Sequence, residues 1–173
     1  FENYVNLLVN TNCIDNAKKI WWDIRPHPYF NTVEVRACDI PLRASESIAV
    51  AALIQATAAY LCRLHESNQD FRQYARPLLM ENKFRAVRYG LDGKLIDFGK
   101  EMEVPERELI LEYLALIDPV VDELGSRKAI EDIRTILETG TGADRQLAVY
   151  EATNHDMNAV VDYMAQETAA GRF

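Results

Sequence analysis

IWWDIRPHPYFNTVEVRAC, residues 20–38, holds two runs that alternate with period two, IWWDIR (20–25) and TVEVRAC (32–38). Both are rich in aromatic and β-branched residues, the composition of a strand. The connector PHPYFN carries two prolines, which cannot donate to a ladder and so favour a turn. Asn31 tolerates a left-handed turn position better than most residues. The stretch predicts an antiparallel hairpin. Successive side chains of a strand point to opposite faces. One face therefore carries Trp21, Asp23, Arg25, Glu34, Arg36 and Cys38, and the other carries Ile20, Trp22, Ile24, Val33, Val35 and Ala37.

Each strand thus has an apolar face and a face with an acid two residues before an arginine. Two readings fit. Cross-strand salt bridges on a solvent-facing ribbon would show this pattern, each worth under about 1 kcal/mol. A pocket for a charged substrate would show it too, because guanidinium forks clamp carboxylate or phosphate and carboxylates are hard ligands for Mg²⁺. The bulk of Trp21, Tyr29 and Phe30, with no Lys, Ser or Thr diluting the charged set, favours the pocket.

Outward from the hairpin, the chain reads as helical. FENYVNLLVN is amphipathic. Ser45 or Ser47 can cap a helix through SESIAVAALIQATAAYLCRLHES, which is apolar on most sides and suits a buried central position. A second helix runs from Pro77 to Tyr89 and is ended by Gly90, and LDGKLIDF forms a turn into a short strand. PERELILEYLALIDPVVDEL reads as a helix kinked or broken near Pro119. SRKAIEDIRTILET, DRQLAVYEAT and MNAVVDYMAQETA complete the set. The fold class is α+β and mostly α, with one early hairpin, in a single domain over 1–173.

The net charge of −8 and a pI of about 4.9 argue against a nucleic-acid groove and an anionic membrane surface. No run looks long and apolar enough to cross a bilayer, the best being residues 48–61. Cys13, Cys38 and Cys62 show no zinc spacing, which fits reduced thiols in a cytoplasmic protein. The chain opens at Phe1 inside helical sequence, so it reads as a piece of a larger protein. His27 in the hairpin turn is a weak ligand candidate.

Three segments together resemble one family. WWDIRPHPYFNTVEVRACDIPL (21–42), ENKFRAVRYGLDGKLID (81–97) and GTGADRQLAVYEAT (140–153) are similar, in order, to motifs of the bacterial carboxylate–amine ligases of glutamate–cysteine ligase type 2. Asn31 stands where that family often has glycine, and Phe84 replaces a common tryptophan.

The resemblance implies the C-terminal half of a glutamine-synthetase-like catalytic domain, an antiparallel cradle backed by helices. It implies that ATP phosphorylates the γ-carboxylate of glutamate and that cysteine or a related amine attacks the acyl phosphate, with Mg²⁺ beside the phosphates. By the same resemblance Glu34 is a metal ligand, with Asp23 as a weaker candidate or a group that orients an arginine. Arg25 and Arg36 are catalytic contacts to phosphate or carboxylate. Asn82, Arg85, Arg88 and Arg145 bind substrate or ATP. For Arg85, a surface pair with Glu81 is an equal alternative. For GTGADRQ, a C-cap glycine followed by an Asp144 cap is preferred over an anion site.

The rest of the family's catalytic domain lies outside these residues. The hairpin should therefore expose an apolar face and an unpaired edge until it meets its other half. A homo-oligomer is also expected. The competing readings are a non-catalytic helical interaction module and a ligase with a different acceptor amine.

Overall fold

The computed structural model describes residues 1–170. The chain divides into two compact units, Phe1–Ile40 and Pro41 onward.

In the first unit, α1 spans Glu2–Asn10 and a 3-10 turn spans Ala17–Lys19, where the Asn16 side chain accepts from the Lys18 N–H at 2.9 Å. The hairpin follows as β1, Ile24–Pro26, and β2, Val33–Val35, shorter than the runs that announced them. Arg25 faces Glu34 across the ladder, with Ile24 opposite Val35. The Arg36 N–H donates to the Asp23 carbonyl at 2.7 Å, extending the pairing by one step. In the turn, the His27 N–H donates to the Thr32 carbonyl. Asn31 is not among the left-handed residues, so the turn makes no use of the tolerance expected of it. Trp22 packs edge-on against Phe1, with ring centroids 5.9 Å apart, and lies 5.3 Å from Tyr4. The outer side of the ribbon is open: Ile24 is 59% exposed and Val33 65%.

The second unit is built on α2, Ala44–Glu66. Ala49, Ala52 and Ala56 form its inner stripe, and their small side chains let two further helices approach closely. These are α4, Glu106–Val121, contributing Leu114, Ile117, Val120 and Val121, and α5, Arg127–Thr139, contributing Ile130 and Ile133. Ile117 and Val121 are fully enclosed, and each such side chain contributes about 1.5–3 kcal/mol on burial. Thr57 Oγ1 and Tyr113 Oη meet at 2.6 Å across the α2–α4 seam.

Four expectations change here. Neither Ser45 nor Ser47 caps α2; the helix begins after Arg43 without a side-chain cap. Only four of its residues are buried, Glu46 among them, so it forms one wall of the core rather than its centre. At 23 residues and a mean hydropathy of 1.5, it is long and apolar enough by composition to cross a bilayer, against the expectation of no such run, while its alanine stripe packs on α4 and α5. Finally, α4 passes through Pro119, which has no N–H to donate within the helix, and ends two residues later at Val121.

α3, Arg76–Tyr89, has proline in its first turn and ends at Gly90, whose φ of +55 suits glycine. It leads to a second antiparallel hairpin, β3, Lys94–Asp97, and β4, Met102–Pro105. The strand at β4 was not anticipated. Asp97 closes the turn by accepting from the N–H groups of Gly99 (2.9 Å) and Lys100 (3.0 Å). α6, Gly142–Ala152, starts with a reciprocal cap in which Thr141 Oγ1 accepts from the Asp144 N–H and the Asp144 carboxylate accepts from the Thr141 N–H. α7, Met157–Ala170, packs on α6.

Candidate active site

The charged face of the first hairpin centres on Glu34. Its Oε2 accepts from Arg25 Nε at 3.0 Å and Nη2 at 2.5 Å, and its Oε1 accepts from Arg36 Nη1 at 2.9 Å. Arg25 is 5% exposed. Its Nη1 also donates to the backbone carbonyls of Lys18 (2.6 Å) and Ile20 (3.0 Å). Four of its five N–H groups are thus spent inside the unit. The Arg25 hydrogen bonds hold the Glu34 carboxyl below its usual range, with Arg36 adding to the shift and desolvation opposing it.

Arg36 is placed differently. Its side chain donates to Glu34 Oε1, and its guanidinium lies 5.4 Å from the centroid of the Trp21 ring. It is half-exposed, with donors left for an incoming anion. The two arginines are therefore unequal, although the sequence assigned them the same role: Arg25 holds Glu34, and Arg36 is the guanidinium that faces outward. Asp23 belongs to the same face by alternation, and its carbonyl takes the Arg36 N–H.

The metal assignment meets a crowded carboxylate. Both Glu34 oxygens already accept arginine hydrogens, and among the described residues no group of three or more His, Cys, Asp or Glu is arranged to hold an ion. These residues do not make a metal site by themselves. His27 is occupied elsewhere: its Nδ1 accepts from the N–H groups of Tyr29 (3.2 Å) and Phe30 (3.1 Å), and its ring stacks on Phe30. The three cysteines are free and exposed.

The helical candidates lie in the second unit. Asn82 brackets β3, donating from Nδ2 to the Ile96 carbonyl at 2.9 Å and accepting the Ile96 N–H at 2.8 Å. Arg85 bonds Glu81 at 2.9 Å and Glu103 at 2.6 Å, and the Glu103 carboxyl is held low chiefly by that bond. The expected Glu81–Arg85 pair is present and widened by a β4 carboxylate. Arg88 is exposed, near the Tyr89 ring. An open cleft of about 390 Å³ lies here, lined by Glu81, Phe84, Arg85, Tyr89, Lys94 and Glu103 among others.

Arg145 turns inward. It donates to the Gly140 carbonyl and to Glu46 Oε1, both at 2.6 Å, and Glu46 is only 7% exposed. Arg43 joins this cluster through Glu46 Oε1, 4.0 Å from its Nη1, and also pairs with Glu167 on α7. Sequence reasoning missed Glu46, Glu103 and the Lys18 and Ile20 carbonyls. An acid in a first helical turn was a faint signal for Glu46. Backbone acceptors leave none.

A family model described as glutamate–cysteine ligase family 2 matches residues 1–165. The chain belongs to glutamate–cysteine ligase family 2. Similar proteins, each named "Putative glutamate--cysteine ligase 2", include one from Solibacter usitatus, 64% identical over 173 residues. Others come from a Roseiflexus species, 57% identical over 171 residues, and Chloroflexus aggregans, 55% identical over 171. Matches cover 99–100% of this chain and 44–45% of each relative. The chain thus spans about half the length of these family members.

Proposed function

We propose that the whole protein is a cytoplasmic ATP-dependent carboxylate–amine ligase that forms a γ-glutamyl amide. In this reading a glutamate γ-carboxylate oxygen attacks the γ-phosphorus of ATP and ADP leaves. The amine nitrogen of cysteine, or of a related amino compound, then attacks the acyl carbon, loses its proton and expels phosphate. The observation that carries the reading is the outward guanidinium of Arg36, fixed by a carboxylate that a buried arginine pins in turn. Such a fork suits an anion that is carboxylate in one step and phosphate in the next.

Arg25 sets the position of Glu34, and Glu34 sets Arg36. Mg²⁺ enters as the companion of the nucleotide, which ordinarily supplies phosphate oxygens and needs only one or two protein carboxylates. Glu34 and Asp23 are the acids this hairpin offers it, and the remainder of its shell comes from outside these residues. The other half of the protein covers the open side of the ribbon, where Ile24 and Val33 stand exposed. Apolar surface at Leu111 and Leu116 on α4 suits a second subunit.

The test uses full-length protein with ATP, Mg²⁺ and glutamate, with and without cysteine, followed by phosphate release and amide detection. Release that requires glutamate and couples to amide upholds the ligase. A folded protein that releases no phosphate with any amine is a non-catalytic module. Coupling to another amine alone changes the acceptor and keeps the reaction class.

A further inference from the structure

We infer that Trp21 is a positioning residue for the anion-binding guanidinium, serving as the shelf on which Arg36 rests. The inference deepens the proposed ligase site and rests on that reading for its place in catalysis. Trp21 is 79% exposed, an unusual position for the largest apolar side chain. Its neighbour Trp22, on the opposite face, is the one that packs with Phe1 and Tyr4. Burial within the described residues therefore does not account for Trp21. Among the described residues its ring meets Arg36, whose Cζ sits 5.4 Å from the ring centroid, inside the range of a cation–π interaction.

The geometry divides the work between two restraints. Glu34 Oε1 takes one Nη1 hydrogen at 2.9 Å and fixes one corner of the guanidinium. A single hydrogen bond leaves the plane free to rotate about it. The indole removes that freedom by offering a face, so the unused N–H groups point in one direction. Holding donors in place before the ligand arrives reduces the ordering cost at binding. The ligand class is a small oxyanion with parallel acceptors, phosphate or carboxylate.

The experiment is a titration of full-length protein with inorganic phosphate, observed at the Arg36 Nε–Hε NMR signal, which is assigned by its loss in Arg36→Lys. In the wild type the signal lies upfield from the ring current and moves on saturation. Trp21→Leu should lose the upfield shift and require about two- to five-fold more phosphate, the size of an exposed cation–π contact. Trp21→Phe should retain the shift and most of the affinity, which a merely space-filling role would not predict. Overturning results are a Trp21→Leu titration that overlays the wild type, or an Arg36 signal that ignores phosphate. Failure of the wild type to make an amide would sink the ligase reading and leave this titration interpretable.

Discussion

Replacing Arg25 with lysine keeps the charge and removes the fork. In the native hairpin the guanidinium satisfies two backbone carbonyls, those of Lys18 and Ile20, and closes two bonds on Glu34. An ammonium radiates its donors from one atom and cannot span these points. A buried acceptor left without a donor costs about 1–3 kcal/mol. If lysine recovers one carbonyl, the loss is about 2 kcal/mol, or roughly a thirty-fold rise in local opening. Hydrogen exchange at the amides of His27 and Arg36, which bond across the ribbon, reads this opening directly. Both should exchange about thirty-fold faster in Arg25→Lys, whereas Arg36→Lys, which removes one bond at a half-exposed residue, should change them by no more than about two-fold. Wild-type exchange rates in Arg25→Lys would refute the view that this arginine holds the hairpin together.

Glu34→Gln should abolish phosphate release in the full-length protein while the fold persists; undiminished turnover would remove Glu34 from the site. The Glu34 carboxyl is held below its ordinary value of 4.5 in the fold, so its contribution is complete above pH 4.5 and is lost as pH falls through the lowered value. The gap in thermal stability between wild type and Glu34→Gln should accordingly be full at pH 6 and shrink in acid; a gap that widens in acid would reverse the argument. Asn82→Ala strips both bonds to Ile96 and should cost about 1–3 kcal/mol, seen as faster exchange across β3. Glu46→Ala leaves the Arg145 charge enclosed and should cost about 3 kcal/mol, with the double change Glu46→Ala and Arg145→Met recovering part of it in a melting experiment.

The charged face was legible because strand alternation is rigid: once residues 20–25 and 32–38 read as strands, Asp23, Arg25, Glu34 and Arg36 had to share a side. What the alternation could not show is where each guanidinium spends its donors. That depends on the path of the backbone at Lys18 and Ile20, which no side-chain pattern encodes. The Thr141–Asp144 cap was half visible, with Asp144 noted and Thr141 not, because either residue can open a helix. β4 was missed because its residues, MEVP, lack strand character, and its pairing is set by the Asp97 turn. The core helices were legible as apolar, yet the residues α2 fully buries in the core are alanines, with Leu53 and Tyr60 packed only partly against it, so other large residues such as Ile48 and Leu61 stay partly exposed.

The attachment of Arg25 to the Lys18 and Ile20 carbonyls makes the short turn before the hairpin a lever on the site. Asn16 fixes that turn by accepting the Lys18 N–H and donating to the Asp15 carboxylate, and among the described residues it bonds none of Arg25, Glu34 and Arg36. A change at Asn16 that shifts the two carbonyls would be transmitted through Arg25 to Glu34 and then to Arg36. In the proposed ligase, a substitution at Asn16 should therefore alter anion affinity through the hairpin without adding or removing a side chain at Arg25, Glu34 or Arg36.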